Sequence, residues 1–205
     1  MDYVWKAGML CTVAGYLLGS ILFAPFFVQL FRNLDLEASS KDGNPGTANA
    51  FIKGGFWCGS LALLGDMGKG VLPVAFFVRA VPQPGLWLLP VMLAPVLGHA
   101  YPLYRHFQGG KCIAVSFGVL LGLFPELRPV LILAFFYILF SLMRIQPHSR
   151  RTVAAFLAAS AGVFIWVKKW KITLSVWSIS ALVIHKHAVS ERKKETVLEK
   201  ERNGV

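Results

Sequence analysis

Charge is what this sequence has least of. Only 15% of its 205 residues are charged, and only 10 are acidic. A soluble domain of this length carries about a quarter. The shortfall excludes an ordinary water-soluble globule. Cysteine is scarce as well: Cys11, Cys58 and Cys112 lie in or beside apolar runs. They have neither metal-ligand spacing nor the pattern of a disulfide framework, so they read as small apolar filler. No internal repeat and no low-complexity tract is present, which counts against a repeat-built transporter.

Hydrophobic residues dominate, at 56%. The run from Ala7 to Phe31 carries no charge and exceeds the ~20 residues that a hydrocarbon core requires. It is too long for a signal-peptide core, and no small-residue cleavage pattern follows it. Further apolar segments cover 54–81, 86–104, 112–125, 129–143, 152–167 and 172–185. The fold expected is an all-α, polytopic integral membrane bundle with about seven transmembrane segments over 1–185. A charged cytoplasmic tail over 186–205 reads as a helix on the membrane surface. The fourth and fifth segments, parted by Glu126-Leu127-Arg128, are two short helices with a tight turn or one interrupted element.

The net charge of +11 would suggest nucleic acid in a soluble protein. Here the bases sit mainly in loops and tail, which marks a cytoplasmic face and implies no nucleic acid. With the N-terminus outside, the first, third and fifth loops and the tail gather on that face of the plasma membrane. Lys168, Lys169 and Lys171 fall on the outer side and run against the rule.

Three constellations have chemistry in them. Gly43-Asn44-Pro45-Gly46-Thr47-Ala48-Asn49 cannot continue a helix, and its free N–H groups and polar side chains suit a phosphate. An ordinary surface turn has the same composition. Asp66 and Lys69 stand one helical turn apart inside an apolar run, followed by Gly70. Buried charges of that kind pair, and they mark functional candidates. His99 ends the third segment, and Gly109-Gly110-Lys111 opens the fourth as a second anion cradle. Two cradles with a histidine between them imply phosphorylated substrates at the membrane surface. A lipid- or partner-binding protein on the same fold, or a small transporter, would share these features.

Together these motifs resemble the PlsY family of bacterial acyl-phosphate:glycerol-3-phosphate acyltransferases. The matches are Gly19-Ser20, Gly43-Asn44 with Gly46 and Asn49, Asp66 with Lys69-Gly70, Gly98-His99 with Pro102, and Gly109-Gly110-Lys111. They follow family order over roughly residues 15–120. The resemblance implies transfer of an acyl group from a fatty acyl phosphate to glycerol 3-phosphate, forming lysophosphatidic acid for phospholipid synthesis. It implies no cofactor and no metal. It assigns phosphate binding to Gly43, Asn44, Gly46, Thr47, Asn49, Gly109 and Gly110, and catalysis to His99, Lys111 and Lys69. Ser20, Asp66, Gly70 and His187 support. The departures are specific. Asp42 replaces a serine, Ile52 an arginine and Cys112 a glycine, Thr47-Ala48 reverses Ala-Thr, and Pro147 falls near a serine. A carboxylate at Asp42 needs a cationic partner, for which Lys41 and Lys53 are nearest in sequence.

Overall fold

The computed structural model describes residues 2–40 and 42–203. Among the described residues every regular element is helical. The first apolar run does not form one rod. It yields α1 (Asp2–Gly19) and α2 (Phe23–Arg32), broken at Ser20–Leu22. α2 ends at Asn33, whose left-handed backbone (φ 51°) an asparagine tolerates. Asp35 then caps the short α3 (Leu36–Ser39), accepting hydrogen bonds from the backbone of Glu37 and Ala38.

α4 (Thr47–Asn49) runs into a π-helical turn, Ala50–Gly54. Gly55, at φ 86°, redirects the chain into α5 (Phe56–Ala80). There follow α6 (Leu88–Ala100), α7 (Ile113–Leu121), α8 (Arg128–Leu142), α9 (His148–Val167) and α10 (Trp170–Asn203). α10 continues without a break past residue 186.

Five stretches are long and apolar enough to cross a membrane: Asp2–Arg32, Phe56–Ala80, Gly85–Arg105, His148–Val167 and Trp170–Thr196. A count of seven would also need α7 and α8, at 9 and 15 residues. Both are shorter than a ~20-residue crossing. They are two separate helices, which resolves the ambiguity at 126–128. α7 survives at this length because α5 and α6 cover it, leaving little backbone to lipid.

α1 packs on α6, α6 on α10, α10 on α9 and α9 on α8, while α5 bridges α1 and α7. Phe77, Met92, Leu133 and Ile179 fill the interior. Large apolar side chains also face outward: Trp57 is 74% exposed and Leu142 76%. In water such a surface would aggregate; in lipid it is the solvated face. Asp42, Lys111, His148 and Lys194 meet at one end of the bundle. At the other end Glu126 binds both Arg128 and Lys169, tying the turn before α8 to the turn before α10.

Candidate active site

The 42–49 loop is folded around its own polar groups. Gly43 takes a left-handed backbone (φ 58°) that lets the chain reverse. The amide of Asn49 donates to Asp42 Oδ1 and to the Asn44 carbonyl, each at 2.8 Å. The Asn44 N–H also donates to Asp42 Oδ1, at 3.3 Å. Asn49 is therefore the brace of this loop.

The second loop is set by close packing. The Gly110 N–H donates to the His99 carbonyl at 3.0 Å. A Cβ on Gly109 would lie 2.1 Å from that same carbonyl oxygen, and one on Gly110 2.3 Å from His99 Nε2. Only two glycines let the chain lie this close to the end of α6, and that path projects Lys111 forward. Its Nζ meets Asp42 Oδ2 at 2.8 Å. The two loops are thus joined by an ion pair. Asp42 takes its cationic partner from Lys111, 69 residues away, and not from Lys53; Lys41 lies outside the described residues. Local sequence gave no sign of the true partner, because the contact is made by the fold. Burial alone would raise the Asp42 carboxyl. Hydrogen bonds from Lys111 and Asn49, the Lys111 charge and the Asn44 N–H outweigh burial and hold it below the usual carboxylate range.

Behind the loops lies a buried polar network. Lys69 Nζ is 2.8 Å from Asp66 Oδ1, 2.8 Å from His99 Nδ1 and 2.6 Å from the Ile21 carbonyl. The contacts to Ile21 and His99 are hydrogen bonds, and the one to Asp66 is an ion pair. His99 Nδ1 must then accept, so its proton sits on Nε2, the nitrogen facing Gly110. Thr47 Oγ1 donates to Asp66 Oδ2 at 3.0 Å. The network grips the first loop through Thr47 and the second through His99. Ser20 Oγ donates to the Tyr16 carbonyl and accepts from the Leu103 N–H, locking the end of α1 to the segment after α6. Gly70 permits α5 to approach α7, since a Cβ there would lie 2.6 Å from the Val115 carbonyl.

In front of the loops is a cavity of about 630 Å³. Its polar end holds Asp42, Asn44, Gly46, Thr47, Asn49 and Lys111. Asp66 and His99 reach it from behind. Its other wall is apolar, with Phe51, Ile52, Leu63, Met67 and Phe117. Gly43, Lys69, Gly70, Gly109, Gly110, Ser20 and His187 shape or brace it without lining it. The remaining wall comes from His148, Ser149, Glu191 and Lys194. Sequence reasoning missed these four. Ser149 does lie two residues beyond Pro147, the one local signal available. His148 Nε2 is 3.3 Å from the Tyr137 hydroxyl. His187, 1% exposed, stacks behind His148 with ring centroids 6.1 Å apart. Among the described residues neither ring nitrogen of His187 has a hydrogen-bond partner.

Both lysines that line the cavity, and Lys69 behind it, hold a carboxylate: Lys111 with Asp42, Lys194 with Glu191, Lys69 with Asp66. An incoming phosphate would therefore share Lys111 with the Asp42 carboxylate or displace it.

Fold and cavity together define a membrane-embedded helical protein with a polar site beside an apolar wall. Family comparison agrees: residues 9–193 match the family model described as glycerol-3-phosphate acyltransferase, and the chain belongs to that family. The glycerol-3-phosphate acyltransferase of Azotobacter vinelandii is 45% identical over 118 residues, covering 57% of this chain and 60% of that protein. The alignment with its Aliivibrio salmonicida counterpart is 35% identical and covers 90% of this chain and 92% of that one. The crystal structure of PlsY (YgiH), an integral membrane glycerol 3-phosphate acyltransferase, in its glycerol 3-phosphate form superposes with a TM-score of 0.80 at 27% identity, over 92% of both chains. Its lysophosphatidic acid form gives 0.79 at 26%, with the same coverage.

Proposed function

We propose that this protein transfers a fatty acyl group from a fatty acyl phosphate to the 1-hydroxyl of glycerol 3-phosphate. The products are lysophosphatidic acid, for phospholipid synthesis, and inorganic phosphate. One observation carries the reading: a single cavity joins the first loop, and Lys111 from the second, to an apolar wall, so a phosphate and an acyl chain fit side by side. The relatives named above support it.

An acyl phosphate is a mixed anhydride. The hydroxyl oxygen forms the new bond to the carbonyl carbon, the carbonyl–phosphate bond breaks, and the hydroxyl proton leaves on a phosphate oxygen. No covalent enzyme intermediate is required. Catalysis is then positioning and electrostatic stabilisation. Lys111, Asn44, Thr47 and the loop N–H groups hold phosphate, with His148 and Lys194 on the facing wall. Lys69, Asp66 and His99 act as positioning residues, because they pair with one another and hold the first loop through Thr47 and the second through the His99 carbonyl. The cavity faces the cytoplasm, as the basic loops and the basic half of α10 gather at its end.

The test is direct. Purified protein receives palmitoyl phosphate and labelled glycerol 3-phosphate, and lysophosphatidic acid is measured. Lys111→Ala and Asn44→Ala each lower kcat/KM by about a hundredfold or more, the loss of one charge-stabilising donor. Absence of product from the unsubstituted protein overturns the proposal.

A further inference from the structure

The lysines that break the charge rule lie at the end of the bundle away from the cavity. Lys169 is accounted for by its 2.7 Å ion pair with Glu126. Lys171 lies over the Trp170 ring, 5.7 Å from its centroid. Lys168 has neither use: among the described residues it makes no ion pair. It also occupies an awkward position. It ends α9 in a left-handed backbone (φ 54°), where glycine or asparagine is the unstrained choice. A lysine held there against conformational preference marks a charge the surface retains.

Beside it is an open cleft of about 620 Å³, within the ~300–1,000 Å³ typical of ligand sites. Phe164, Ile165, Trp170, Leu174 and Trp177 line it, with Lys168 and Thr173 as its polar groups. The aromatic wall is fixed. Trp177 Nε1 donates to the Ser160 carbonyl at 3.2 Å, and its ring packs on Phe164 with centroids 5.8 Å apart. One cation stands at the mouth of an apolar slot, on a helix end where tryptophans mark the membrane interface. That is the complement of a molecule with one anionic head and a hydrocarbon chain.

We propose that this cleft binds an anionic phospholipid of the leaflet opposite the cavity. Its phosphate lies on Lys168 and Thr173, and one acyl chain runs along Phe164, Leu174 and Trp177. The site does not depend on the acyltransferase reading.

Native mass spectrometry of the detergent-purified protein, given equimolar phosphatidylglycerol and phosphatidylcholine with the same chains, tests this. The unsubstituted protein retains phosphatidylglycerol preferentially. Lys168→Gly keeps the left-handed backbone and removes the charge. It weakens phosphatidylglycerol retention roughly fivefold, the factor one basic residue contributes at an anionic surface. Lys168→Asn, also tolerant of that backbone, behaves alike, and Lys168→Arg restores the preference. Trp177→Ala weakens retention of both lipids. Loss of the cation at the end of α9 also affects the helix dipole. Lipid-free melting temperatures separate that effect from the phosphatidylglycerol-induced gain, which only the charge-removing variants lose. Equal retention of the two lipids by the unsubstituted protein, or undiminished preference in Lys168→Gly, overturns the proposal.

Discussion

Asp42, from the first cradle loop, holds Lys111, the lysine that the second presents to the cavity. Its carboxylate takes one donor of Lys111 and sets a negative charge where it competes with a phosphate for that lysine. Asp42→Ser removes that competitor, so kcat/KM for palmitoyl phosphate stays level or rises. A fall of more than about tenfold (~1.4 kcal/mol) would sink the idea and give Asp42 a direct part in the chemistry. The pH dependence follows from the sign of the shift. A carboxyl lowered in the folded protein stabilises above its ordinary value of about 3.9, and that stabilisation is lost as pH falls through the folded value. Between pH 5 and 8 the pair is intact. Below pH 4, amide exchange in 42–49 rises in the unsubstituted protein, and Asp42→Ser shows no such step. Cys112 is the other telling residue. It stands at φ 66° where the resembling family has glycine, and there the family's choice is explained by backbone alone. Cys112→Gly changes stability by less than about 1 kcal/mol, because strain relief offsets lost packing. Cys112→Val costs more than about 2 kcal/mol, since a β-branched side chain is a poor fit to that backbone. Chemical-denaturation midpoints in detergent check both.

At the scale of elements, glycines decide how closely the helices approach. A Cβ on Gly98 would lie 2.2 Å from the Tyr16 carbonyl, a backbone atom of α1 that cannot step aside. Gly98→Ala therefore destabilises by about 1–3 kcal/mol and displaces His99 with it, so activity falls further than stability. An alanine variant that melts and turns over like the unsubstituted protein would refute this. These glycines were visible in the sequence as motifs, but their reason was not: each is demanded by a neighbour from a different helix. The helices themselves were legible from charge-free length. The break at Ser20–Leu22 was not, because Ser20-Ile21-Leu22 carries no proline, glycine or charge. It arises where Ser20 turns its hydroxyl to the segment after α6 and the Ile21 carbonyl turns to Lys69.

For the whole molecule, the Asp66–Lys69–His99 cluster is the centre through which the two loops are aligned. Asp66→Asn leaves Lys69 buried without its counter-charge and costs about 3–5 kcal/mol. Adding Lys69→Met restores much of the melting temperature but not lysophosphatidic acid formation, since Thr47 and His99 have lost their anchors. Recovery of full activity in the double variant would show that the cluster serves the fold alone. Both loops, Lys111 and the Asp66–Lys69 pair could be read from sequence because each is a compact motif; that His99 joins the pair could not, because it comes from another helix. His148, Ser149, Glu191 and Lys194 could not, since they reach the cavity only by the packing of α9 and α10 against the rest.

The apolar wall of the cavity carries a consequence in partition energy. Phe51 and Ile52 stand at its edge, and Ile52 is 75% exposed on the outer surface of the bundle. An acyl chain lying there can stay in contact with hydrocarbon throughout the transfer. Drawing a chain of about fifteen methylenes into water would cost on the order of 12 kcal/mol, at ~0.8 kcal/mol each. In the proposed reaction, meeting the donor at the membrane boundary would leave only the small polar acceptor to diffuse in from water.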